Sequence, residues 1–190
     1  MIFHPLGVAG AFLVDLEPIA DERGLFARIW DEAEFAAQGI DIRCVQTNVS
    51  YNRRRGTVRG LHWQVEPYSE TKLLRCTKGS VFDVVADVRP GSETYGCWAG
   101  QRLTPGERSM VFVPAGCAHG YQALEDDSEV SYQVSHPYVA GAEKGVRWND
   151  PSLQIDWPIN EGVIVSPKDA AWPDMEPAPL PDVAARPARR

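Results

Sequence analysis

The sequence predicts an all-β fold with at most a few short peripheral helices. Three observations carry this expectation. Glycine and proline are frequent, at 16 and 15 of 190 residues. Short segments alternate apolar and polar residues, and helical periodicity is almost absent. Taken in order, Asp31 to Gln38 reads as one short helix, with Asp31 placed to cap it and Gly39 to stop it. Leu73 to Cys76 reads as a strand, Thr77-Lys78-Gly79-Ser80 as a tight turn, and Val81 to Val88 as the returning strand. Successive strand side chains point to opposite sides. Phe82, Val84, Ala86 and Val88 therefore share one face, and Val81, Asp83, Val85 and Asp87 the other. Arg89-Pro90-Gly91-Ser92 closes that strand with a turn. Ser109 to Val113 is a short apolar strand ended by Pro114-Ala115-Gly116. Glu129 to Ser135 alternates strictly, with Val130, Tyr132 and Val134 on one side. Many short strands with so little helix make a sandwich, jelly roll or barrel.

Composition bounds the function. A chain of 190 residues is the length of one domain. Its 19 Lys+Arg against 26 Asp+Glu give a net charge of −7, which argues against a general nucleic-acid binder. No apolar run approaches the roughly 18 residues of a membrane span, and the N-terminus lacks a signal-peptide pattern, so a soluble, cytoplasmic protein is expected. Cys44, Cys76, Cys97 and Cys117 form no C-x-x-C pair and are expected as reduced thiols. Three of the four lie in apolar or strand-like stretches, where a buried small hydrophobe is the usual role. The stretch from Trp172 is rich in proline and alanine and is expected to end in a loosely held tail. That sets a single domain at 1–175 and a tail at 176–190.

The densest polar segment runs from Arg53 to Gln64 and holds four arginines, a local reversal of the overall charge. Arg53 to Arg55 suit a solvated loop. Arg59, on a nascent strand beside Gly60, suits bidentate phosphate binding, although an isolated arginine is more often structural. In strand geometry Gly60, His62 and Gln64 share one face, with Leu61 and Trp63 on the other. A second histidine, His119, follows the turn Pro114-Ala115-Gly116-Cys117. Metal-binding cupin barrels place H-x-H with a nearby Glu in the first motif, whereas this chain reads His62-Trp63-Gln64. Two histidines without further ligands make a poor transition-metal site, so no metal is expected and a histidine is free to act as a base. No G-x-G-x-x-G fingerprint suggests a dinucleotide cofactor.

Nine segments then follow one another in order: Asp21-Glu22-Arg23-Gly24-Leu25-Phe26, Gln46-Thr47-Asn48-Val49-Ser50, Arg59 to Gln64, Lys72-Leu73-Leu74-Arg75, Gly79 to Val84, Pro114 to Gly120, Arg147-Trp148-Asn149-Asp150-Pro151, Asp156-Trp157-Pro158 and Ser166-Pro167-Lys168-Asp169. This series, from about Phe3 to Asp169, resembles the dTDP-4-dehydrorhamnose 3,5-epimerase family. The resemblance implies a cupin double-stranded β-helix, that is, a jelly-roll barrel. It implies a homodimer, without cofactor or metal, acting on the nucleotide sugar dTDP-4-dehydro-6-deoxyglucose. It casts His62 as the base, Asp169 as its partner, Tyr132 as the acid on the opposite face and Lys72 as the stabiliser of the enolate oxygen, with help from His119.

By the same resemblance Arg23 and Arg59 are pyrophosphate clamps, Arg23 reaching into the partner subunit. Phe26, which ends the R-G-x-F motif, and Arg28 are substrate-binding positions, Gln46, Thr47 and Asn48 belong to the nucleotide segment, and Tyr138 to base stacking; Glu143 and Lys168 are further substrate contacts. Two departures stand out. Arg28 replaces the family's usual glutamate, and Ser135-His136-Pro137-Tyr138 replaces T-x-Y-Y, so the reaction class carries over more directly than the base. Three alternatives remain: an epimerase of C3 or C5 alone or for another nucleotide-4-keto sugar, a non-catalytic nucleotide-sugar binding cupin, and a metal-dependent cupin. Intact His62, Tyr132 and Asp169 speak against the second. The missing ligand of the first motif speaks against the third.

Overall fold

The structure is a computed structural model that describes residues 1–40 and 42–176. The expected tail at 176–190 lies outside the described residues apart from Glu176. In chain order the elements are β1 (Ile2–Pro5), β2 (Phe12–Asp15), β3 (Ile19–Asp21), β4 (Gly24–Phe26), α1 (Glu32–Ala36), β5 (Gln46–Asn52), β6 (Val58–Gln64) and β7 (Lys72–Lys78). They continue as β8 (Val81–Ala86), β9 (Trp98–Leu103), β10 (Met110–Val113), β11 (Ala118–Ala123), β12 (Ser128–Val134), β13 (Glu143–Gly145) and α2 (Pro167–Ala170). One sheet runs β1-β2-β10-β7-β12-β5, the other β13-β6-β11-β8-β9, and β3-β4 form a separate hairpin. The run from β5 to β12 crosses between the two large sheets at every step except the β8–β9 hairpin, so that β5-β12-β7-β10 faces β6-β11-β8-β9. Two interleaved Greek keys of this order define a jelly roll, the expected cupin-like architecture.

Local chemistry explains the elements. Asp31 accepts from the backbone N–H of Ala33 (3.0 Å) and Glu34 (3.1 Å), supplying two of the orphan donors of α1. Gly39 adopts φ +74° just past its end. On β8, Val81 and Val85 enter the core between the sheets, while Val84 and Ala86 pack outward against Val58, Leu61, Leu153, Trp157 and Met175. The predicted alternation is therefore real, with both faces buried, and it aims Asp83 inward. The strand ends earlier than the expected Val88. Asp87 turns to accept hydrogen bonds from Arg89 Nε (2.9 Å), Ser92 Oγ (2.5 Å) and Thr94 Oγ1 (2.5 Å). Phe35 of α1, with Ile40 and Ile42, covers the outer face of the first sheet at Val14, Leu73, Met110 and Phe112.

Fewer cysteines are buried than their flanking sequence suggests. Cys76 and Cys117 lie in the core, where burial pushes their thiols up to about 11 and about 12. Cys44 and Cys97 sit in the loops that precede β5 and β9 and are exposed. The chain from Trp172 is held as far as Glu176. Pro173 accepts from Arg147 N (3.1 Å), Asp150 Oδ2 accepts from Met175 N (2.6 Å), and Tyr95 donates to the Glu176 carbonyl (2.7 Å).

One contact positions the site. A Cβ on Gly60 would lie 2.5 Å from the Gly120 Cα, and one on Gly120 would lie 2.7 Å from the Arg59 carbonyl oxygen, so β6 and β11 approach closely only because both residues are glycine. Gly60 also takes φ +121°, a conformation that other residues rarely adopt. We therefore expect Gly120→Ala to cost about 1–3 kcal/mol by overpacking, read as a lower denaturation midpoint. An unchanged midpoint would contradict the described contact.

Candidate active site

The close approach of β6 and β11 coincides with a register shift between His119 and Tyr121. Strict alternation would put Arg59 and His62 on opposite faces. Instead both line one cavity of about 560 Å3 between the sheets, because the strand is bent at Gly60. His62 and His119 are directly paired across β6 and β11, so two imidazoles stand side by side on that wall. Tyr132 of β12 and Lys72 of β7 line the same cavity from the other sheet. His62, Lys72 and Tyr132 also border a second lobe that holds Gln46, Asn48, Tyr138 and Glu143. The proton-active groups thus sit where two lobes meet.

Each histidine holds a carboxylate. His62 Nε2 lies 2.7 Å from Asp169 Oδ1, while Oδ2 of the same carboxylate accepts from Gly60 N at 3.3 Å. Ser166 caps α2 by accepting from Asp169 N (3.0 Å), which fixes the carboxylate over β6. Burial pushes the Asp169 carboxyl up. The hydrogen bond and charge of His62, the Gly60 amide and nearby Lys168 outweigh it and hold it below the ordinary value. His119 Nε2 lies 2.8 Å from Asp83 Oδ2, where burial outweighs the opposing pull of the histidine and raises the carboxyl. Burial also raises the Tyr132 phenol, against a smaller lowering by Arg59. Such a wall-to-wall arrangement can remove a proton from one side of a bound carbon and return one from the other.

The remaining predicted residues divide into two groups. Arg59 is anchored by donating to Asn52 Oδ1 (2.8 Å) and to the Tyr51 carbonyl (3.1 Å), and it faces the cavity. Lys72 is paired with Glu70, and Lys168 with Glu143. Tyr138 donates to Glu143 at 3.4 Å. Gln46 and Asn48 share a face and a 2.7 Å hydrogen bond, whereas Thr47 points away from both lobes. Arg23, Phe26 and Arg28 lie outside both lobes. Arg23 pairs with Asp21 (2.5 Å), and Arg28 with Asp31 and Glu34 (both 3.2 Å); Phe26 is 69% exposed.

Sequence reasoning missed four residues. Trp172 packs on Gly145 and meets the His62 ring edge-on at 6.1 Å. Glu70 neutralises Lys72, and Asp83 partners His119. Gln64, read only as an absent metal ligand, holds the Tyr138 loop by donating to the Pro137 carbonyl (3.2 Å) and accepting from Val139 N (2.6 Å). Among the described residues no group of three His, Cys, Asp or Glu side chains is placed to hold a metal ion.

A lowered carboxyl contributes stability that is present above its unfolded value, near 3.9, and is lost as pH falls through the folded value. Asp169→Asn should therefore melt below the native chain at pH 7, and the gap should narrow as pH drops below about 4. A gap that widens on acidification would contradict the assignment.

The description "dTDP-4-dehydrorhamnose 3,5-epimerase" belongs to the family whose pattern matches residues 5–177. The chain is 40% identical over 180 residues to the dTDP-4-dehydrorhamnose 3,5-epimerase of Sinorhizobium fredii (strain NBRC 101917 / NGR234), covering 95% of this chain and 92% of the relative. It is 41% identical over 170 residues to the dTDP-4-dehydrorhamnose 3-epimerase of Streptomyces niveus, covering 89% and 81%. Among solved structures, the dTDP-6-deoxy-D-glucose-3,5-epimerase of Legionella pneumophila Philadelphia 1, in complex with dTDP-4-keto-L-rhamnose, superposes with a TM-score of 0.85. It shares 33% identity, with 92% of each chain covered. In sequence, in jelly-roll topology and in the match over nearly its whole described length, this chain belongs to the dTDP-4-dehydrorhamnose 3,5-epimerase family.

Proposed function

We propose that this chain epimerises dTDP-4-dehydro-6-deoxy-D-glucose at C3 and C5, giving dTDP-4-dehydro-L-rhamnose. The observation that carries the reading is the placement of the His62–Asp169 pair and the Tyr132 phenol on opposite sheets of one cavity. A C4 ketone acidifies the hydrogens at C3 and C5. His62 takes such a proton, the electron pair moves onto the C4 oxygen, and Tyr132 protonates the carbon from the other face. Oxidation state is unchanged, so the reaction as proposed needs no nicotinamide.

Asp169 stays ionised and steadies the imidazolium that forms on His62. Lys72 supplies positive charge to the enolate oxygen, with His119 beside it; one preorganised donor is typically worth about 3–4 kcal/mol. Arg59 and Lys168 suit the diphosphate. Gln46, Asn48 and Tyr138 suit the nucleoside, Tyr138 by stacking on its base, with Glu143 as a further substrate contact. Thr47 would act through its backbone, since its side chain points away.

A homodimer completes the reading. Ile19 and Phe26 leave the β3–β4 hairpin with an exposed apolar face, 73% and 69% accessible, beside Arg23 and Arg28. A second copy would cover it and bring these residues to a nucleotide. Free thiols at four positions fit a reducing, cytoplasmic compartment.

The Streptomyces niveus relative, 41% identical, is a 3-epimerase, so single inversion is the second reading. Incubated with the 4-keto sugar nucleotide in deuterated buffer, without added metal or nicotinamide, the protein should place deuterium at both C3 and C5. Label at C3 alone selects the second reading, and no exchange overturns both. His62→Ala should lower exchange by about 10²–10⁴-fold.

A further inference from the structure

Asp83 is a buried carboxylate that the proton-transfer scheme does not use. Its surroundings differ sharply from those of Asp87, four residues on, which accepts from Arg89, Ser92 and Thr94. Asp83 has one polar partner among the described residues, His119 Nε2 at 2.8 Å, and its Oδ1 accepts no hydrogen bond. A carboxylate buried with so little compensation is unfavourable for stability. Its use must be sought in what it does to His119.

A proton count shows what that is. A 2.8 Å contact between Nε2 and Oδ2 requires a hydrogen between them. A carboxylate facing an imidazolium satisfies this, and so does a neutral carboxylic acid facing a neutral imidazole. In both forms Nδ1 of His119 also carries a hydrogen. A third form, carboxylate with neutral imidazole protonated on Nε2, would leave Nδ1 bare and one uncompensated negative charge in the core. Burial disfavours that form, and the raised Asp83 carboxyl agrees. Nδ1 makes no hydrogen bond among the described residues, and the ring lines the cavity.

His62, paired directly across the strands, is the opposite case. Its carboxylate, Asp169, is held in the ionised form by the hydrogen bond and charge of His62, the Gly60 amide and Lys168, so a neutral His62 donates to it from Nε2 and keeps a lone pair on Nδ1. Two neighbouring imidazoles are thereby given contrasting forms by contrasting carboxylates.

We propose that Asp83 is a positioning residue that keeps a hydrogen on Nδ1 of His119, making that histidine a fixed donor to the substrate oxygen at C4. The proposal rests on the epimerase reading for the identity of the acceptor; the protonation it asserts does not need substrate. The chain has four histidines, so 15N spectra of histidine-labelled protein can resolve each ring. At pH 7–8 the His119 Nδ1 resonance should be that of a protonated nitrogen, and in Asp83→Leu it should lose that fixed protonated signature. In the same variant kcat should fall 10–100-fold with KM changed less than threefold, while the denaturation midpoint stays level or rises. A bare Nδ1 in the native chain, or an unchanged kcat in a variant that folds, would overturn the proposal. The native spectrum decides the protonation even where the variant does not fold. An inactive native enzyme with a protonated Nδ1 would remove the C4 acceptor and so overturn both readings, leaving only the protonation itself.

Discussion

The site depends on two strands being closer than side chains normally allow. Gly60 and Gly120 meet with no room for a Cβ on either, and the register shift at that point turns Arg59, His62 and His119 onto one wall. Remove that contact and the strand reverts to simple alternation, which would send Arg59 away from the cavity. The core on either side is ordinary apolar packing. Its contribution is to hold both sheets rigid while a polar cavity of about 560 Å3 stays open between them.

Within the cavity the chemistry is divided by sheet. The five-stranded sheet carries both histidines, and the six-stranded sheet carries Tyr132 and Lys72. Groups on separate sheets cannot drift together without disturbing the core, so the two sides of a bound ring are addressed by different residues. Inversion of a carbon needs this separation more than it needs any unusual reactivity. The charges follow the same economy: Glu70 pairs Lys72 and Glu143 pairs Lys168, which keeps each cation in place until an anionic ligand competes for it.

What the sequence disclosed was mostly local. The Asp31 cap, the β8 and β12 alternation and the turn glycines follow from rules that act within a few residues, and each is where it was expected. The pairing of His62 with Asp169, 107 positions away, was reachable only through family resemblance, because no spacing rule connects a strand to a capped turn that far off. Periodicity misleads at Arg59 and His62, where the glycine contact overrides it. Asp83 was placed on its correct face, but its partner was invisible without the β8–β11 pairing. Arg23, Phe26 and Arg28 carry a family pattern whose geometry within one chain lies away from the cavity. Trp172 was passed over because its prolines and alanines resemble those of a tail.

The central claim is that proton removal and proton return come from opposite walls. Tyr132→Phe tests it most directly, since it removes one hydroxyl and leaves His62, Asp169 and the cavity untouched. Incubated with the 4-keto sugar nucleotide in deuterated buffer, the variant should return starting material that carries deuterium with its original configuration, and form inverted product at least about 100-fold more slowly than the native chain. Inverted, deuterated product formed at the native rate would contradict the account.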